Sequence, residues 1–156
     1  MRELLTDTIV HIPPAKALEE LSLEEAECHV PGTHHSIAEI VAHMNFWMTW
    51  FCDRCEGVSA PMVATAAEGW PDVEPGSWPA IREAFLDSLA RAVAIAERGR
   101  LDMSLAPPIE FPPLANYTIR DALVHVSVHN AHHLGQVILL RQLMGVWPPP
   151  SGSWTW

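Results

Sequence analysis

The segment HVSVHNAHHLGQ, residues 125–136, contains four of the nine histidines in the chain. A helix turns about 100° per residue, so His129 and His133 would lie about 40° apart on one helix face. The other residues of that face are mostly apolar, and they include Ala122, Val126, Val137, Leu140 and Met144. Two imidazoles spaced four residues apart on one inward-facing surface are an arrangement that binds a divalent metal ion.

The other two histidines of this segment lie nearer the edge of the apolar stripe. His125 is about 40° from His129 on the opposite side from His133, and His132 is about 60° from His129. His132 and His133 diverge by about 100°, so these neighbours cannot easily hold the same ion. The pair His129 and His133 is therefore the better candidate.

A third imidazole comes from an earlier helical segment. His43 shares a helix face with Ile40, Trp47 and Phe51, so we expect it to point into the core. Three histidine ligands would leave one position of a tetrahedral ion open, which is typical of catalytic metal sites. Each histidine alone could instead be a hydrogen-bonded core residue. Burying three imidazoles together without a shared ion costs desolvation each time, which favours the metal.

Four helical segments must position these residues. Apolar spacing and helix breakers predict them at about residues 3–21, 36–56, 77–98 and 118–144, with Pro13 and Pro14 interrupting the first. Ser36 and Glu39 form a capping-box pattern at the start of the second. No strand-like alternation is visible. We predict one all-α domain over residues 1–156, a four-helix bundle with its site between facing side chains.

Composition narrows the class of partner. The formal net charge is −10 and only nine lysines and arginines are present, which disfavours nucleic acid. There is no run of about 18 apolar residues and no signal-peptide pattern, so we expect a cytoplasmic protein without a membrane span. Cys52 and Cys55 have the CxxC spacing, but a lone CxxC at the end of a helical pattern favours ordinary reduced thiols.

Three stretches resemble the DinB-like (DNA-damage-inducible) superfamily of metalloenzymes. They are HSIAEIVAHMNFW at 35–47, HNAHHLGQVILLRQLMG at 129–145 and the closing WPPPSGSWTW. The resemblance implies an up-down-down-up four-helix bundle, often dimeric, with a divalent metal held by His43, His129 and His133. It also implies thiol-dependent transferase or isomerase activity with bacillithiol or mycothiol in some members, and thiol-histidine biosynthesis in related domains. Many relatives have HRGQ where this chain has leucine at 134, so an arginine is absent.

The leading hypothesis is a metal-dependent enzyme whose open coordination position activates water or a low-molecular-weight thiol, as in a hydrolase or a thiol S-transferase. Zinc or nickel are the expected metals, with iron also compatible. Gln136 is a candidate to orient a ligand or substrate, and Glu39 to hold a ligand imidazole. Trp47 and Trp50 are candidates for a pocket wall. The alternatives are a helix-to-loop hydrogen bond for Gln136, capping for Glu39 and core packing for the tryptophans.

Two rival functions remain open from the sequence. One is a metal- or thiol-binding protein of the stress response that performs no chemistry, and the other is a structural bundle whose histidines fill space. The fourth helix also carries apolar residues opposite the histidines, namely Val124, Ala131, Leu134 and Ile138. A helix that is apolar nearly all round must be covered on both sides, so we predict a homodimer.

Overall fold

The fold is helical throughout the part of the chain that the computed structural model describes, residues 1–6 and 11–153. The six α-helices are α1 (Arg2–Leu5), α2 (Pro14–Ala17), α3 (Leu23–Glu27), α4 (Ile37–Cys55), α5 (Trp78–Glu97) and α6 (Ile119–Leu143). Two short 3-10 helices, Ala66–Gly69 and Pro112–Leu114, lie in the loops. The described residues contain no β-strand, only an isolated bridge between Ser104 and Thr118. The all-α class is confirmed.

Side-chain caps set the starts of the two helices that carry the histidines. At α4, the Ser36 hydroxyl accepts from the Glu39 amide, and the Glu39 carboxylate accepts from the Ser36 amide. Thr118 and Asp121 form the same reciprocal pair at the start of α6. Each cap satisfies backbone amides that have no partner within the helix. The predicted capping box at residue 36 is confirmed.

The first predicted helix is not continuous. Two short helices, α1 and α2, fall within its described residues, and α3 lies beyond its predicted end. Helix α2 begins at Pro14, where a proline is tolerated because the first helical amide needs no partner. Residues 7–10 and the last two tryptophans lie outside the described residues. Since only α4, α5 and α6 are long among the described elements, the up-down-down-up arrangement of four helices stays a prediction.

The three long helices pack around one apolar core, with α4 in contact with both α5 and α6. Met44, Met48, Phe85, Leu123 and Val126 are fully buried there. Near one end of α4, His43 contacts His133, with ring centroids 4.7 Å apart. Further along α4, Phe51 contacts His125, which comes earlier in α6. The two helices are therefore antiparallel, and His43 lies level with the centre of α6.

The outer face of α6 is only partly covered. Leu134 is buried and Ala131 and Ile138 are half-buried, as the expected second apolar face requires. Val124, Val128, Leu139 and Leu143 are exposed, with Val128 at 65% and Leu143 at 58%. None of the helices in the described residues has the length and apolar character needed to cross a membrane.

A buried arginine joins the end of α6 to the N-terminal part of the chain. Arg141 is 2% exposed, and its guanidinium donates to the carbonyl of Ala17 at 2.7 Å and to the carbonyl of Val146 at 3.2 Å. A charged donor that serves two carbonyls in the interior is costly to remove, because both acceptors and the space around them are left unsatisfied. This contact ties α2 to α6.

We predict that Arg141→Met lowers the free energy of unfolding by about 1–3 kcal/mol, since methionine fills the space but cannot donate. Arg120→Met is the matched control, because Arg120 is exposed and pairs with the exposed Asp102, a contact worth about 0–1 kcal/mol. Urea denaturation of both variants measures the difference. Equal destabilisation by the two substitutions would contradict the role given to Arg141.

Candidate metal centre

The structure brings His43, His129 and His133 together between α4 and α6. One ring nitrogen from each lies within 4.8 Å of the other two. Nε2 of His43 and Nε2 of His129 are 3.1 Å apart. His43 and His133 are buried and His129 is half-buried. The convergence expected from the helix faces is therefore present.

Two of these imidazoles have a fixed proton position. Nδ1 of His43 is 2.6 Å from the carbonyl oxygen of Gly69, and Nδ1 of His133 is 2.6 Å from Oε1 of Gln136. An oxygen of this kind only accepts, so each Nδ1 carries the proton and donates it. Each Nε2 then presents a lone pair to the centre of the cluster. This is how second contacts usually orient histidine ligands of metals.

The spacing of the three imidazoles fits a tetrahedral ion. Bonds of about 2.0–2.1 Å at tetrahedral angles place ligand nitrogens about 3.3–3.4 Å apart. The Nε2 separation of 3.1 Å between His43 and His129 and the 4.8 Å limit for the whole group bracket that value. Three imidazoles occupy three of four positions. The donor set therefore fits a divalent ion with one open position.

Burial keeps the three rings neutral and able to coordinate. Desolvation, with a smaller effect of the neighbouring His133, lowers the pKa of His43 to about 4, although the Gly69 carbonyl opposes the shift. Desolvation, with His133 and His43 nearby, lowers the pKa of His129 to about 4 as well. The pKa of His133 is also lowered, chiefly by burial. Protons therefore compete weakly for these nitrogens at neutral pH.

His129 lacks the fixed acceptor that the other two histidines have. Among the described residues, its Nδ1 and both amide atoms of Asn130 are buried without a hydrogen bond of good geometry. The Asn130 side chain is nonetheless close enough to favour the charged form of His129. A small rotation of the Asn130 amide would give Nδ1 of His129 an acceptor, which is the arrangement that coordination through Nε2 requires.

One wall of the site comes from the loop between α4 and α5. The Trp70 indole stacks on His43, with ring centroids 3.8 Å apart and planes 9° from parallel. The His35 ring stacks on the other face of the same indole, also at 3.8 Å. Trp70 meets His133 edge-on at 5.8 Å. The sequence interpretation missed Trp70 and Gly69, because a proline-containing loop without periodicity offers no indication of where its residues lie.

Trp47 and Trp50 contact the same loop from the α4 side. A Cβ added to Gly69 would lie 2.9 Å from Nε1 of Trp47, so this indole is against the loop backbone. The Trp50 indole donates to the carbonyl of Pro61 at 2.9 Å. Of the described tryptophans, Trp70 is the one that stacks on a histidine of the cluster. The two predicted tryptophans thus position the loop.

Glu39 serves as a cap and also holds two further histidines. Its Oε2 accepts from the Ser36 amide at 2.8 Å and lies 3.0 Å from Nε2 of His29 and 3.7 Å from Nδ1 of His35. Burial opposes ionisation of this carboxyl, but the Ser36 amide and His29 lower its pKa overall. Through His35, which stacks on Trp70, Glu39 supports the wall of the site. Capping, which was the alternative interpretation of Glu39 from the sequence, is therefore present.

A cleft on the outer side of α6 meets the cluster at His129. Its volume is about 530 Å³, and it is lined by Tyr117, Asp121, Val124, His125, Val128, His129 and His132. A separate groove of about 600 Å³ lies between α4 and α5, and none of the three clustered histidines lines it. His125 and His132, the two histidines that the helix wheel placed at the stripe edge, are part of the α6 cleft.

The cysteines lie apart from this site. All three are free, and burial raises the pKa of Cys52 and of Cys55 to about 12. Thiols that resist ionisation are poor nucleophiles and poor metal ligands at neutral pH. The expectation of ordinary reduced thiols agrees with this environment.

Comparisons with known proteins give one match. A family model described as the DinB superfamily matches residues 15–137, which include all three clustered histidines. No curated protein and no solved structure matches the chain significantly.

We predict that Gly69→Ala weakens the binding of Co²⁺ or Zn²⁺ by about tenfold, because the new methyl group pushes Trp47 or displaces the carbonyl that holds His43. Gly135→Ala is the matched control. Gly135 lies in α6 close to His133, and an added Cβ there meets nothing within 4 Å. Metal titration of both variants, monitored by competition with a chelator, gives the affinities. Unchanged affinity in Gly69→Ala would show that the Gly69 contact does not orient His43.

Proposed function

The chain belongs to the DinB superfamily, and we propose that His43, His129 and His133 bind one divalent metal ion whose open position activates water or a low-molecular-weight thiol. The observation that carries the proposal is the convergence of three neutral imidazoles, two of them with the Nδ1 proton held by a fixed oxygen. A structural histidine has no need to present its second nitrogen to two others. Shared coordination explains all three orientations at once.

The bound ion would supply Lewis acidity, which lowers the pKa of a water ligand to about 7 or stabilises a thiolate. The chain supplies the rest. Gly69 and Gln136 hold the ring orientations of His43 and His133, so little reorganisation is needed when the ion binds. Trp70 covers one side of the cluster, which leaves the α6 cleft as the approach from the other side.

Imidazole ligands suit zinc and nickel, which are the proposed metals, and iron is also compatible with this donor set. An activated thiolate would carry out a thiol S-transferase-like reaction, and an activated water would carry out a hydrolase-like one. Small molecules are the proposed partners, because the net charge of −10 disfavours nucleic acid.

A second candidate is a metal- or thiol-binding protein of the stress response that performs no reaction. Well-oriented imidazoles serve binding as well as catalysis. Turnover distinguishes the two candidates, whereas metal content distinguishes both from a structural bundle.

We predict that the purified protein reconstituted with Zn²⁺ or Ni²⁺ holds one ion per chain, and that His129→Ala and His133→Ala each lose most of it. His132→Ala is the control, since this exposed neighbour lies on the same helix outside the cluster. Elemental analysis after gel filtration measures the stoichiometry. Full retention of metal by His129→Ala and His133→Ala would contradict the ligand assignment.

Metal-loaded and metal-free preparations of the protein test whether it catalyses a reaction. Consumption of bacillithiol, mycothiol or glutathione in the presence of an electrophile should be faster with the metal-loaded protein than with metal-free protein. Equal rates would end the transferase proposal, while one ion per chain without turnover would favour the binding protein.

We also propose a homodimer that forms through the C-terminal half of α6. Leu139 and Leu143 are one turn apart and are 54% and 58% exposed, and an isologous contact would bury both from each copy.

Sedimentation at micromolar concentration should give twice the chain mass. The double variant Leu139→Glu with Leu143→Glu should be a monomer, while Leu23→Glu, on exposed α3, should remain a dimer. A monomeric mass for the unmodified chain would contradict this.

A further inference from the structure

We propose that the cleft on the outer side of α6 binds the thiol substrate of the metal centre, and that it prefers an uncharged thiol with an apolar segment to an anionic one. The inference rests on the proposed function and adds a substrate class to it. The cleft and the cluster share His129, so a molecule in the cleft lies next to one of the three proposed ligand residues. A volume of about 530 Å³ is within the usual range for small-molecule sites.

The apolar part of the cleft is a pair of valines. Val124 and Val128 are one helical turn apart, and they are 37% and 65% exposed. Exposed β-branched side chains on a helix contribute little to the core, and they also lower helix propensity slightly. Covering them with an alkyl chain would remove apolar surface from water and stabilise the complex. They therefore form a surface for the hydrocarbon part of a ligand.

The charged part of the cleft disfavours anions. Among the residues that line it, Asp121 carries a formal charge and no lysine or arginine is present. The Thr118 amide and hydroxyl donate to Oδ2 of Asp121 at 2.9 and 2.7 Å, and these bonds lower the pKa of Asp121. Arg120, the nearest cation in sequence, pairs with Asp102 instead. A carboxylate in the cleft would therefore meet a carboxylate without a compensating cation.

A neutral polar contact is available in the same cleft. The hydroxyl of Tyr117 lies 3.0 Å from Nδ1 of His125, and the His125 ring rests against Phe51. Burial lowers the pKa of His125, so this imidazole is neutral at physiological pH and can accept from the hydroxyl. The phenolic oxygen then keeps a lone pair that can accept from an amide N–H. An amide is thus matched by the cleft where a carboxylate is not.

The test compares two thiols of equal length that differ in charge, 6-mercaptohexanamide and 6-mercaptohexanoate. Each is titrated into the protein loaded with Co²⁺, and formation of the cobalt–thiolate bond is followed by its charge-transfer absorption in the near ultraviolet. We expect the amide to bind at least about tenfold more tightly than the acid. This readout reports binding and does not depend on turnover.

Variants locate the effect in the cleft. Val128→Arg introduces a cation into the cleft that Asp121 lines and should reverse or abolish the preference, and Val124→Arg should do the same from the neighbouring turn. Leu23→Arg is the control, because it adds the same charge on α3. This helix lies near the opposite end of α6, where Cys28, just beyond α3, contacts Met144. The preference should be unchanged in this variant. A cobalt stoichiometry of one per chain shows that the metal centre of a variant is intact. Either valine variant that passes this check is sufficient to test the charge preference.

The outcomes separate this inference from the proposed function. Equal binding of the two thiols, tighter binding of the acid, or a preference unaffected by both valine variants would overturn the inference while metal and thiol binding stand. Failure of both thiols to bind cobalt in the loaded protein would overturn thiol activation together with this inference. Failure of the unmodified protein to retain cobalt would overturn the metal centre itself.

Discussion

The contact on which the site depends is the hydrogen bond from Nδ1 of His43 to the carbonyl of Gly69. It joins a helix to a loop 26 residues away in sequence, and it does two things at once. It fixes the tautomer of His43, so that Nε2 faces the other two imidazoles. It also holds the adjacent Trp70 over the His43 ring. Loss of this bond would release both the ligand and the wall.

The surroundings of that bond are arranged to keep the loop in place. Gly69 has no side chain because the Trp47 indole occupies that space, and Trp50 holds the loop at Pro61. On the far side, Oε2 of Glu39 lies 3.7 Å from Nδ1 of His35, and His35 stacks on Trp70. A single residue, Glu39, therefore caps the start of α4 and lies beside the wall of the site. The capping role predicted for Glu39 is present, whereas the ligand imidazole of His43 is held by the Gly69 carbonyl.

The helix faces were the most predictable part of the protein. His43, His129 and His133 were selected from angular position alone, and they meet in the structure because α4 and α6 are antiparallel and in contact. The starts of α4 and α6 were also visible, since a capping box is a local pattern. The first helix was predicted less well, because two prolines break it and short segments depend on the core for their stability. The helix wheel placed Trp47 and Trp50 near His43, and in the structure both indoles contact the loop between α4 and α5.

The amino-acid sequence by itself determined which residues share a helix face, where the long helices begin and which imidazoles point inward, because these properties follow from periodicity and from contacts within four residues. The tertiary structure alone decided which loop covers the cluster, which oxygen holds each Nδ1 proton and on which side the cleft lies. Those features come from contacts between residues far apart in the chain, such as Gly69 with His43, and local patterns carry no information about them.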